Sequence, residues 1–350
     1  MRVNYKIILS FFTLSFCIIL TGIFLQYSQS TWLLQAKNAL PSLLPSNKID
    51  HPLSIETMRG KAYPGSDLII EETLSPGSNY TQYIASYRSE GLKIYGLLTV
   101  PTTPKPADGF PVIIFNHGYI PPASYVTTER YIAYVDAFAR NGYIVFKSDY
   151  RGHGTSEGNP EGAYYSPAYA IDVLNAVASL KLYTDANPNK IGMWGHSMGG
   201  NITLRDIIVN QKDIKVAVIW GGVVGSYYDL LNNWHNRVSY QPPPQELAQR
   251  NNYRKNLIDQ FGTPETNPTF WNAIDPTAHL SEVTIPIQLH TGEFDEEVPP
   301  EFSANLYEKL ILLSKPAEYY IYPNGNHDIS SPNFEKAMER SITFFDRYLK

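Results

Sequence analysis

A single cysteine, Cys17, is all that 350 residues contain, so no intramolecular disulfide and no cysteine-based metal cluster can form. Any catalysis must rest on oxygen and nitrogen groups. Positive charge is also scarce. The formal net charge is −5, and the chain offers neither a basic footprint for nucleic acid nor a broad polybasic patch for anionic lipid. Both are set aside as partners. Charged residues make up 17% of the chain and hydrophobic ones 43%, which is too apolar for a disordered chain and enough for a sizeable core. One large domain, two at most, is expected.

Charge is missing altogether from Ile7 to Leu25, a run preceded by Arg2 and Lys6 that contains the lone cysteine. It is long enough to span a bilayer as a helix. A cleaved secretory signal is the alternative, although the small-residue site it needs is represented only by Ser28-Gln29-Ser30. With Arg2 and Lys6 held inside, the C-terminal bulk faces outward. Either reading exports the rest of the chain, as a membrane-anchored or a secreted protein. The resulting division is an anchor or signal over 1–30, a Pro-, Ser- and Asn-rich tether over 31–66 and one domain over 67–350.

Within that domain, "YTQYIASYRS" and "LKIYGLLTV" meet at Glu90-Gly91 and read as an antiparallel hairpin. Six short, nearly continuous apolar runs follow, at 111–116, 143–149, 190–195, 216–222, 285–292 and 317–324. Such runs suit strands buried on both faces of a parallel sheet. Helical faces lie between them: Tyr131, Val135, Phe138 and Ala139; Ile171, Leu174, Val177 and Ala178; Phe302, Leu306 and Leu310; and a terminal face from Phe334 to Leu349. Strands alternating with helices predict an α/β fold with an eight-stranded, mostly parallel, doubly wound sheet. The alternation breaks over residues 223–284, rich in Trp, Tyr, Asn and Pro. An insertion of that length is expected to act as a lid or binding region.

One serine lies between glycines where an apolar run ends, in "KIGMWGHSMGGNITL". A G-x-S-x-G alone is weak evidence, but Ser197 follows a predicted strand and precedes a predicted helix, the turn that exposes a nucleophilic hydroxyl. Such a serine requires a base, and the base an orienting acid. Both occur downstream in the order Ser, acid, His. Asp295 lies in "HTGEFDEEVPP" and His327 in "YPNGNHDI", each in a loop at the carboxyl edge of the sheet where ligands bind. Glu293, Glu296, Glu297, Asp328 and Asp229 compete with Asp295 for the role of acid. The backbone N–H groups of Tyr119, after "NHG", and of Met198, after the serine, are the candidate oxyanion donors. No metal or organic cofactor is called for.

From about Tyr80 onward the chain resembles the α/β-hydrolase superfamily, and within it the catalytic domain of the prolyl-oligopeptidase family and the dienelactone-hydrolase-like esterases. The likeness rests on "NHGY", "DYRGHGTSEG", "GHSMGG", the spacing of Gly292, Asp295, Val298 and Pro299, and "YPNGNH". It implies that Ser197, Asp295 and His327 are nucleophile, acid and base, and that Asp149, Arg151 and His153 form a structural loop. His117 stands where many of the peptidases carry a tyrosine that assists the oxyanion. Prolyl oligopeptidases also carry a large β-propeller, which the residues between the apolar run and the first strand cannot build. The expectation is a serine hydrolase acting on an ester or a short-peptide amide through an acyl-enzyme. The alternatives are a peptidase proper and a non-catalytic binding relative of the fold. An Asp-nucleophile dehalogenase is excluded by serine at position 197.

Overall fold

In the computed structural model, which describes residues 49–235 and 242–350, nine strands form one sheet: β1 (Ile69–Leu74), β2 (Tyr80–Ser89), β3 (Leu92–Pro101), β4 (Phe110–Asn116), β5 (Ile144–Ser148), β6 (Ala186–His196), β7 (Val216–Trp220), β8 (Ile287–Gly292) and β9 (Ala317–Tyr322). Their order is β1-β2-β3-β5-β4-β6-β7-β8-β9. The first three strands pair antiparallel, and β3 also meets β5 antiparallel. Every remaining pair, from β5 across to β9, is parallel. The β2–β3 hairpin turns on Glu90 and Gly91, both with positive φ. That geometry matches the twist of the flanking strands.

The parallel strands divide their side chains between two cores, as period-two alternation requires. Val112 and Ile114 of β4 face helices α3 (Ala168–Leu182), α4 (Met198–Val209) and α8 (Pro300–Leu312). Ile113 and Phe115 face α2 (Ile132–Arg140) and α9 (Phe334–Leu349) on the opposite side. The sheet is therefore covered on both faces. This is the mixed α/β, doubly wound architecture expected, with one strand more.

The extra strand is β1, which has largely exposed side chains along its length. A second difference concerns the expected tether. From Ile49 onward the chain packs on the domain: Leu53, Ile55 and Met58 of the short helix α1 (Ile55–Arg59) and its lead-in are buried. The backbone N–H groups of Gly65 and Ser66 bond to Asn175 and Ser179 of α3. The expected tether of 31–66 is thus corrected over its second half, because these apolar side chains have a surface to bury against.

Between β7 and β8 lie helices α5 (Tyr227–Asn232), α6 (Pro244–Phe261) and α7 (Pro268–Ile274), then a 3₁₀ stretch, Pro276–Glu282. Tyr227, Leu257, Phe270, Trp271 and Ile274 form a small core of their own with Leu53. The buried Arg205 guanidinium ties it down by donating to the carbonyls of Leu53 and Ile274 and to the Tyr227 hydroxyl. Among the described residues no helix is long and apolar enough to cross a membrane. The Ile7–Leu25 run lies outside them.

Candidate active site

Four loops at the carboxyl ends of parallel strands build the site. Strand β6 ends at His196, and Ser197 occupies the N-cap position before α4 with φ 55° and ψ −120°. A non-glycine residue held there is strained, and the surroundings over-determine it. Its N–H donates to the carbonyl of Trp220 on β7, and its carbonyl accepts from Val223. The turn also needs glycine two residues on: a Cβ on Gly199 would fall 1.9 Å from the carbonyl oxygen of Asn116, at the end of β4.

The β8 loop and the β9 loop are stitched to each other. Glu293 and Phe294 donate backbone N–H groups to the carbonyls of Tyr322 and Gly325. Gly292 permits the approach, since a Cβ there would stand 2.2 Å from the carbonyl oxygen of Asn326. This brings Asp295 to His327. The His327 Nδ1 lies 2.8 Å and 3.0 Å from the two carboxylate oxygens of Asp295. Oδ1 of Asp295 accepts in addition from the N–H groups of Glu297 and Val298, at 3.0 Å and 2.8 Å. The spacing from Asp295 to Val298 is thus the spacing of a carboxylate cradle.

Nε2 of His327 is buried and has no hydrogen-bond partner, Ser197 included. Contacts of this kind are often long in a free enzyme and tighten with substrate. His327 and Ser197 border the same groove. Burial opposes protonation of His327, but the hydrogen bond and charge of Asp295, followed by the charges of Glu297 and Asp328, outweigh it and hold the pKa above its ordinary value.

Two of the competing acids, Asp229 and Glu293, serve other partners, whereas Glu297 stands at the site with Oε2 3.7 Å from Nε2 of His327. Asp229 closes a capping box with Ser226 at the start of α5, and Glu293 accepts from the N–H of Asn324. Tyr119 and Met198 both border an aromatic pocket beside the serine. Met198 is the first residue of α4, where N–H groups point out of the helix without intrahelical acceptors. His117 is buried between the rings of Tyr125 and Tyr150, with Nδ1 2.7 Å from the Gly118 carbonyl. Asp149 accepts from the Tyr125 and Thr127 hydroxyls, and Arg151 is paired with Asp172 at 2.7 Å. These residues brace the loops. Among the described residues no group of three or more His, Cys, Asp or Glu is placed to hold a metal ion.

Three participants had no signal in the sequence. The Tyr131 hydroxyl accepts the N–H of Gly118 at 2.9 Å and donates to Nδ1 of His196 at 2.7 Å. Nε2 of His196, thereby the protonated nitrogen, donates to the carbonyl of His327 at 3.1 Å. One polar chain therefore links the loop after β4, the elbow and the loop after β9. Burial first, then the charge of His327, pushes the His196 pKa down to about 4, which keeps this imidazole neutral. The third is Glu246 of α6, whose carboxylate accepts from the Tyr119 hydroxyl and so fastens the insertion to the candidate oxyanion loop.

With this geometry in view, comparison with known proteins decides the family. The sequence profile of the prolyl oligopeptidase family matches residues 130–350. The chain belongs to that family. It is accordingly a serine hydrolase of the peptidase or esterase kind. YtmA of Bacillus subtilis, described as an uncharacterized peptidase, is 29% identical over 269 residues, covering 77% of this chain and 94% of its own. Among solved structures, the acetyl xylan esterase of Paenibacillus sp. R4 superposes with a TM-score of 0.61 at 18% identity, over 91% of this chain and 99% of that one. The dipeptidyl peptidase 4 of Porphyromonas gingivalis superposes with a TM-score of 0.60 at 18% identity, over 77% of this chain. This family member spans only 36% of that peptidase's length. At such identities the two structures establish a shared α/β-hydrolase fold.

Proposed function

We propose that the protein is an exported serine esterase whose nucleophile is Ser197, base His327 and acid Asp295. The observation that carries this reading is the state of one imidazole: His327 is fixed at Nδ1 by Asp295 and leaves Nε2 at the groove that Ser197 borders. The serine oxygen attacks the carbonyl carbon while its proton passes to Nε2. The Tyr119 and Met198 N–H groups hold the oxyanion; Nε2 then gives its proton to the departing oxygen, and a water deprotonated by the same nitrogen releases the acid. Esters are favoured over amides because an alkoxide leaves more readily than an amine. The aromatic pocket beside Met198 suits an apolar acyl group. The Ile7–Leu25 run is the membrane anchor, with the domain on the outer side.

The test is a fluorophosphonate probe on the full-length protein, followed by a panel of short-chain esters and aminoacyl amides. Label on Ser197 and kcat/KM at least about tenfold higher for esters, about 1.4 kcal/mol in transition-state binding, are expected. A second reading, a peptidase proper, is favoured by the family membership itself and by the description of YtmA. Faster turnover of the amides would decide for it. N-terminal sequencing of the mature protein tests the anchor, since a start near Thr31 would mean a cleaved signal.

A further inference from the structure

The space around Ser197 has two sides of different chemistry. Beside Met198, the aromatic pocket is closed by Tyr164, Tyr165 and Tyr253, the last on α6. Beside His327 runs an open groove of about 770 Å³. The described residues lining the groove include three carboxylates, Glu129, Glu297 and Asp328, one guanidinium, Arg130, and the rings of Tyr134 and Phe334.

Carboxylates along a groove do not by themselves make a binding site; the imidazole does. His327 is 6% exposed, its Nε2 has no hydrogen-bond partner, and it lines this groove. Nε2 is the atom that returns the proton to the departing group. The leaving group must therefore occupy the space that this nitrogen faces, which assigns the groove to it and the aromatic pocket to the acyl part. Within that space Oε2 of Glu297 lies 3.7 Å from Nε2. A leaving oxygen accepting a proton from Nε2 would carry its next two or three atoms past the Glu297 carboxylate.

We infer that the groove is a leaving-group subsite selective for cationic alcohols, with Glu297 meeting an ammonium two carbons from the scissile oxygen. This rests on the serine-hydrolase reading and names the substrate class of that same site. The Glu297 side chain is half exposed and is ion-paired with Nε2 of His327 only while that imidazole is protonated, so with the neutral base in place an incoming cation reaches the carboxylate. Aromatic faces beside a carboxylate are the surroundings that attract alkylated ammonium groups. Asp295 already supplies the charge at Nδ1, so a second carboxylate on the Nε2 side is not needed to orient the base.

The test compares two esters of one acid, acetylcholine and its uncharged isostere 3,3-dimethylbutyl acetate, on the full-length protein. The wild type should favour the cation by about tenfold in kcat/KM, as a partly desolvated carboxylate and ring would give. In Glu297→Gln the ratio should fall close to one, and in Glu297→Lys below one. Because both esters react at the same serine, a variant that merely folds poorly lowers both rates and leaves the ratio where it was. An unchanged ratio in Glu297→Gln, or no preference in the wild type, would overturn the subsite. Failure of a fluorophosphonate to label Ser197 would instead remove the hydrolase reading beneath it.

Discussion

His196 donates a hydrogen bond to the main-chain carbonyl of His327 across 3.1 Å, and their rings lie 4.5 Å apart. The residue before the proposed nucleophile thus holds the loop that carries the proposed base. Through Tyr131 the same imidazole is tied to Gly118, so one neutral ring sets the distance between base, elbow and oxyanion loop. Tyr131→Phe should leave the Gly118 N–H and His196 Nδ1 unpartnered and lower stability by about 2 kcal/mol, measured by denaturant unfolding. His196→Gln cannot span both partners. Its kcat should drop by about 10- to 100-fold, the scale of a misplacement near 1 Å, while KM stays within about twofold. A fall in fluorophosphonate labelling that tracked lost folded protein instead would reduce His196 to a packing residue.

The proposed triad makes sharper demands. Ser197→Ala should abolish turnover with the fold intact, as judged by circular dichroism. Asp295→Asn should lose about 10⁴ in kcat, because the wrong tautomer of His327 is then held. Asp229→Asn should be near normal in rate, since that carboxylate serves a helix cap. A large rate loss in Asp229→Asn with a small one in Asp295→Asn would move the acid to the β7 loop.

Much of this was legible beforehand, for reasons that can be located. Strands buried on two faces write themselves as unbroken apolar runs, and "PVIIFN" splits its residues between the two cores as that requires. Strand β1 has exposed side chains and a register shift between Ile70 and Glu72, so neither alternation nor a run marks it. Leu53, Ile55 and Met58 sit in too short a segment to show a period. Asp295 and His327 stood out by their order after strands, and folding brings them within 2.8 Å of each other. The Tyr131–His196–His327 chain was not, because its members are 65 and 131 residues apart and only folding brings them together. Tyr131 was also expected on the apolar face of α2, whereas it precedes that helix with φ 54°.

The pH dependence follows from His327. With the neutral imidazole as the proposed base, kcat/KM should rise with pH through one ionisation. Its midpoint should lie above the ordinary imidazole value of about 6.5, because Asp295, Glu297 and Asp328 together outweigh the burial that disfavours charge. In Asp295→Asn burial is left without its main opponent, and the midpoint of the residual activity should move down. Stability runs the other way. A pKa raised in the folded state contributes stability that is fully present below the unfolded value and is lost as pH rises through the folded one. A wild-type midpoint below that of free histidine would contradict the arrangement.

The insertion after β7 offers the last prediction. Its small core with Leu53 makes α5 and α7 part of the folded domain, so deleting the whole 223–284 segment should unfold the protein rather than open it. Helix α6 is different: Leu257 is the one buried residue noted along it. It meets the site through Glu246, bonded to Tyr119, and Gln249, which donates to the Pro160 carbonyl at 3.1 Å. Both contacts border the pocket assigned to the acyl group. Glu246→Ala with Gln249→Ala should therefore loosen the roof of that pocket while leaving the triad in place. For a long-chain ester KM should rise by about fivefold, the loss of roughly 1 kcal/mol of ground-state binding, whereas an acetyl ester, too short to reach α6, should change less than twofold. Equal effects on the two esters would mean that α6 acts on the oxyanion loop through Tyr119, and kcat rather than KM would then carry the loss.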